Sequence, residues 1–184
     1  MTIVTFDVET TTKQKSNGSW TPSPFFDNRL VSLGFKLIDE SHVDYLCFYH
    51  ENEKPTVDAF NMFQNTLDKC KLLIGHNIKF DLMWLRECGW QYNGEVYDTM
   101  VGEYILAGSR RWPLSLAAIA EKYEVGSKKK DLVQPYLDDG YTFDKIPYEI
   151  VKEYGIEDVV VTELIAIKQI ECFNTTLERL YERD

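Results

Sequence analysis

The stretch TIVTFDVETTT, Thr2–Thr12, decides how the chain is read. Apolar and polar residues alternate along it, the signature of a strand whose two faces meet different surroundings. Val4, Phe6 and Val8 fall on one face, and Thr5, Asp7 and Glu9 on the other. Two carboxylates side by side at a strand end repel each other at neutral pH. Either that face is bathed in water, or something cationic sits between them.

Further strands follow. RLVSLGFKLID (29–39) and HVDYLCFYH (42–50) read as two strands of a hairpin turning at Glu40 and Ser41. KLLIG (71–75) reads as a short buried strand and GEVYD (94–98) as another. The intervening TTKQKSNGSWTPSPFFDN carries Gly, Ser, Asn and two prolines and reads as a long loop. Val57, Phe60, Phe63 and Leu67 recur at helical spacing, and NIKFDLMWLREC reads as a helix with Asn77 at its N-cap and Leu82 and Leu85 facing the core. TMVGEYILAG, SLAAIAEKYEV and the long EIVKEYGIEDVVVTELIAIKQIECF complete the helices. Three strands first, then strands alternating with helices, predict an α/β protein with a mixed sheet covered by helices.

A chain of 184 residues, 44% hydrophobic and 14% aromatic, is long enough to bury a core, and residues 1–184 are expected to form a single domain. No apolar run approaches the roughly 18 residues of a membrane helix. The N-terminus lacks the basic and apolar segments of a secretory signal, so an intracellular protein without a membrane partner is expected. Cys47, Cys70, Cys88 and Cys172 are scattered, which argues against a zinc site or a disulfide framework. The formal charge of −10 argues against gripping nucleic acid by bulk electrostatics, yet it suits an enzyme whose acid is concentrated around bound cations.

Two more stretches carry chemistry. In GHNIKFDLMWL, Asp81 lies in the first turns of a helix, a place acidic residues favour for the macrodipole alone. In YGIEDVVVTEL, Tyr154 and Asp158 stand four apart on one helix face, in a stripe that continues through Val161 and Ile165. Ile156, Val160 and Ile167 make the opposite side apolar too, so the helix reads as buried on both sides. A carboxylate there needs a partner, whether a hydrogen bond, a basic side chain or a cation. Taken together, Asp7, Glu9, Asp81 and Asp158 would make an oxygen-rich site suited to Mg²⁺ or Mn²⁺. Two such ions about 4 Å apart would serve phosphoryl transfer.

DVET, NIKFD and YGIED, in this order and with these gaps, resemble the three exonuclease motifs of the DnaQ-like DEDD exonucleases. Y-x-x-x-D is the pattern of the tyrosine-bearing subgroup. VYDTMVGEYIL followed by LSLAAIAEKY is similar to the 3′–5′ proofreading domain of family A DNA polymerases, and the likeness runs from about residue 3 to about residue 170. The resemblance implies a ribonuclease H-like fold, a five-stranded mixed sheet flanked by helices. It also implies a two-metal-ion 3′–5′ exonuclease that releases nucleoside 5′-monophosphates from a DNA 3′ end. Asp7 would bridge two Mg²⁺ or Mn²⁺ ions, Glu9 and Asp158 would complete the tighter site, and Asp81 would hold the second ion largely through water. Tyr154 would orient the attacking water.

Weaker candidates surround these. Thr10, just past Glu9, would touch the terminal nucleotide, and Asn77, which matches the second motif, would contact the substrate, being equally well explained as a cap. Asp98 matches the family and also reads as a helix N-cap, while His76 reads as structural. Lys128, Lys129 and Lys130, the one basic run, either meet a phosphate backbone or lie in a solvated loop, and Arg110 and Arg111 beside Trp112 invite the same two readings. Trp20, Phe25 and Phe26 either stack on bases or cover the sheet edge. The expected partners are single-stranded DNA or a DNA 3′ end and a separate DNA polymerase, in the cytoplasm of a bacterial or phage-infected cell. A ribonuclease D-like RNA exonuclease and a non-catalytic docking module are the alternatives.

Overall fold

Val4, Phe6 and Val8 face the larger core, as the alternation in Thr2–Thr10 (β1) requires. The computed structural model describes residues 2–38, 40–108, 110–126 and 132–180. Leu30–Leu37 (β4) runs antiparallel to β1, with Phe6 opposite Phe35 and Val8 opposite Leu33. Asp44–Cys47 (β5) pairs antiparallel with β4 on its other side. Cys70–Gly75 (β6) lies parallel to β1, and Glu95–Asp98 (β7) lies parallel to β6. The sheet order is therefore β5-β4-β1-β6-β7, five mixed strands with β1 at the centre. This is the ribonuclease H-like arrangement.

Helices cover both faces. Ala59–Leu67 (α1) and Ile78–Cys88 (α2) bring Phe63, Leu67, Trp84 and Leu85 onto the Val4–Phe6–Val8 face. There Phe63 packs 5.1 Å from Phe35 and, edge-on, 5.6 Å from Trp90, centroid to centroid. Burying each such ring contributes about 1.5–3 kcal/mol. The long Tyr148–Cys172 (α6) lies on the opposite face, where Ala166 meets Ile3, Leu72 and Ile74. Lys36 and Glu163 pin it there through a buried ion pair, with Nζ 2.6 and 2.7 Å from the two carboxylate oxygens.

Thr99–Ala107 (α3) and Leu116–Tyr123 (α4) pack on α6 around a buried polar knot. Glu103, wholly buried, accepts from Lys122 at 2.5 Å, Tyr123 at 2.9 Å and Gln169 at 3.3 Å. A short helix, Gln134–Asp138 (α5), lies within the polar segment between α4 and α6.

Several expectations need correction. The long loop after β1 contains a small hairpin, Lys13–Gln14 (β2) with Trp20–Thr21 (β3), and a 3-10 turn at Pro24–Phe26. Val57 precedes α1 and is 88% exposed, so only Phe63 and Leu67 of that predicted stripe are buried. On α6, Val161 and Ile165 are buried as expected. Ile156 and Val160 instead line an open groove of about 390 Å³ beside Gly126. Among the described residues no helix is long and apolar enough to cross a membrane.

Candidate active site

The odd-numbered face of β1 turns toward α6, and Asp7 and Glu9 stand at its C-terminal end. Their partners on β4 are small: Asp7 pairs with Gly34 and Glu9 with Ser32. A Cβ at Gly34 would sit 3.1 Å from both Tyr45 and Val159. At Gly155 of α6 it would fall 2.6 Å from the Tyr45 ring and hydroxyl. Tyr45 fills the slot these glycines leave. Its hydroxyl donates to the Val151 carbonyl at 3.2 Å and lies 2.7 Å from Ser32 Oγ. The helix thus comes close enough to place Asp158 against β1.

Asp7, Glu9 and Asp158 each offer a carboxylate oxygen within 4.8 Å of the others. Burial first, then Asp158, holds the Asp7 carboxyl well above the usual range. Glu9, 7% exposed, is raised likewise by burial and then by Asp7, Asp158 and Asp81. Such crowding of desolvated like charge is costly unless protons or a cation offset it. An all-oxygen donor set of this kind suits a hard divalent cation. The residues present therefore fit a metal site.

Asp81 stands outside that trio, in the first turn of α2 and 2% exposed. It accepts the backbone N–H of Val8, which lies beyond the last β1–β6 pair, Thr5 with Ile74. Burial, followed by Asp7, raises its pKa. Three of the four expected carboxylates thus converge, and the fourth borders them. Tyr154 packs against Phe143, ring centroids 5.8 Å apart, and its hydroxyl hydrogen-bonds Asp158. Burial, then the Asp158 and Glu9 carboxylates, pushes the phenol far above its ordinary pKa.

The weaker candidates divide. Thr10 is buried, 5% exposed, at the β1 bulge. Asn77 occupies the N-cap position of α2 in the left-handed region, φ 56°, but its exposed side chain makes no cap hydrogen bond, contrary to expectation. Its N–H donates to Asp98 Oδ1 at 2.9 Å, and Asp98 also caps α3 through the Met100 N–H. His76 bonds Thr99 Oγ1 at 2.9 Å, the structural role expected of it. Arg110, Arg111 and Trp112 are exposed beyond α3. Lys128, Lys129 and Lys130 lie outside the described residues. Trp20, Phe25 and Phe26 are exposed rather than laid over the sheet edge.

Sequence reading missed Tyr45, Ser32 and the two glycines. A glycine inside a helix or strand pattern was the available signal, since it costs stability unless another group must approach closely.

The family model described as 3′–5′ exonuclease, of the DNA polymerase A type, matches residues 2–169. The chain belongs to this 3′–5′ exonuclease family. Its motifs are thereby placed on a nuclease domain, and the carboxylate trio lies within the matched residues. Among solved structures, one described as the apo form of the nuclease shares the fold at a TM-score of 0.64 and 14% identity, covering 97% of this chain and 77% of that one. A comparison with curated proteins gave no match.

Proposed function

We propose that this exonuclease-family member hydrolyses DNA from the 3′ end in the presence of Mg²⁺ or Mn²⁺, two ions per site, and releases nucleoside 5′-monophosphates. The observation that carries this reading is the crowding of Asp7, Glu9 and Asp158 with the Tyr154 hydroxyl on Asp158. Asp7 and Asp158, half-buried, and Glu9, buried, are the residues that would hold the tighter ion. Asp81, set back on α2, would help hold the second. Divalent cations bound there supply activation of water and screening of the scissile phosphate's charge.

The protein's own groups position that chemistry. Tyr154 keeps its proton at neutral pH and orients the attacking water by hydrogen bonding, as the tyrosine-bearing subgroup would. Asn77, exposed beside α2, is a contact for the terminal nucleotide. Thr10, buried and next to Glu9 in the chain, is the second residue assigned to that nucleotide. A separate DNA polymerase would supply 3′ ends for proofreading, or the protein trims DNA by itself.

Single-stranded DNA and RNA of one sequence, incubated at equal concentration with Mg²⁺ and resolved by product, test the reading. Nucleoside 5′-monophosphates appearing faster from DNA are expected. Equal or faster loss of RNA would overturn the DNA assignment in favour of a ribonuclease D-like activity, and internal cleavage products would overturn the exonuclease itself.

A further inference from the structure

Residues 11–29, between β1 and β4, reverse the character of the chain around them. The whole protein carries −10, yet this segment holds Lys13, Lys15 and Arg29 against one carboxylate, Asp27. Its large rings point outward, with Trp20 61%, Phe25 66% and Phe26 46% exposed. Three exposed aromatics on one short segment mark a binding surface rather than a solvated loop.

The segment is also built. Buried Asn28 donates to the Thr21 carbonyl at 2.9 Å and the Ser23 carbonyl at 2.8 Å. The Arg29 N–H donates to Thr11 Oγ1 at 2.8 Å, closing the base of the segment. Trp84 of α2 donates to the Pro22 carbonyl at 3.2 Å. Lys15 lies 4.9 Å from the Phe26 ring centroid, and Lys13 pairs with Asp27. The segment leaves β1 at Thr10, one residue past Glu9, and leans on the helix that carries Asp81.

We propose that residues 11–29 form a stacking platform for the unpaired bases of a single-stranded nucleic acid whose 3′ end lies at the carboxylate trio. This rests on the exonuclease reading. Every base offers a π-face to Trp20, Phe25 or Phe26, and the local cations meet the phosphates between them. A protein partner fits less well, because the excess of positive charge on an otherwise acidic molecule complements a polyanion.

The test compares a single-stranded 12-mer, as oligothymidylate and as oligouridylate, with the p-nitrophenyl ester of thymidine 5′-monophosphate. The ester presents one nucleotide and no further bases for the platform to stack. In Trp20→Ala and Phe25→Ala the ratio of 12-mer kcat/KM to ester kcat/KM should fall about tenfold per ring. The double variant should fall further, through KM for the 12-mer. Val57→Ser, an exposed apolar residue elsewhere, should leave the ratio unchanged. A double variant that still hydrolyses the ester and shows the wild-type ratio would overturn the platform while leaving the exonuclease intact. A wild type that leaves both substrates untouched would overturn the exonuclease reading and the platform with it.

Discussion

At Tyr154 a phenol lies against the Asp158 carboxylate and keeps its proton. A group held in that state can hydrogen-bond a water but cannot deprotonate one. Tyr154→Phe should therefore cut kcat by about a hundredfold, the scale of losing one positioned hydrogen bond, while Mn²⁺ affinity stays near wild type. Asp7→Ala should abolish turnover and weaken Mn²⁺ binding together. Steady-state kinetics beside a Mn²⁺ titration of both variants separates these roles, and equal losses of affinity would refute the division. Much of this site was legible in the chain. Alternation placed Asp7 and Glu9 on one face, and a carboxylate on an apolar helical stripe singled out Asp158. Tyr45 was not legible, because nothing local in DYLC says that its ring fills a slot between two glycines 121 positions apart, Gly34 and Gly155.

α6 is the element that turns separate motifs into a site. It carries Tyr154 and Asp158, meets β1, β4 and β6, and is pinned to the sheet by Lys36 and Glu163. Gly155 sets how closely it approaches. On an exposed helix Gly→Ala stabilises by about 1 kcal/mol. Here the added methyl would meet Tyr45 at 2.6 Å, and overpacking of this kind costs about 1–3 kcal/mol. Gly155→Ala should thus lower the melting temperature and the exonuclease rate together; a rise in melting temperature would show that Tyr45 moves aside freely. The central strands β1, β4 and β6 could be read from period and length, because each buries a run of apolar side chains; Glu95–Asp98 buries none and was read from its short alternating stretch alone. The small hairpin at Lys13–Gln14 and Trp20–Thr21 could not be, since two-residue strands leave no period to detect. Val57 misled for a different reason: helical spacing continued past the point where α1 begins.

For the molecule as a whole, the dominant electrostatic feature is acid crowded at the C-terminal end of the central strand. Asp7, Glu9 and Asp81 all have folded-state pKa values raised well above the ordinary carboxylate range, burial being the first cause and neighbouring carboxylates the next. Between pH about 4 and those raised values the folded state holds more protons than the unfolded one. These groups therefore favour folding in acid, and that contribution is lost as pH rises through the window. A divalent cation among the carboxylates replaces the missing protons, so its stabilisation grows as they ionise. The most direct measurement is the Mg²⁺-induced shift in melting temperature, followed by calorimetry from pH 4.5 to pH 8. At a hundredfold excess over its dissociation constant, Mg²⁺ should add about 2.7 kcal/mol at pH 8. That corresponds to a rise of about 5–10 °C, fading toward nothing at pH 4.5. A shift absent at pH 8, or equal at both ends of the range, would contradict the reading of Asp7, Glu9 and Asp158 as a cation site.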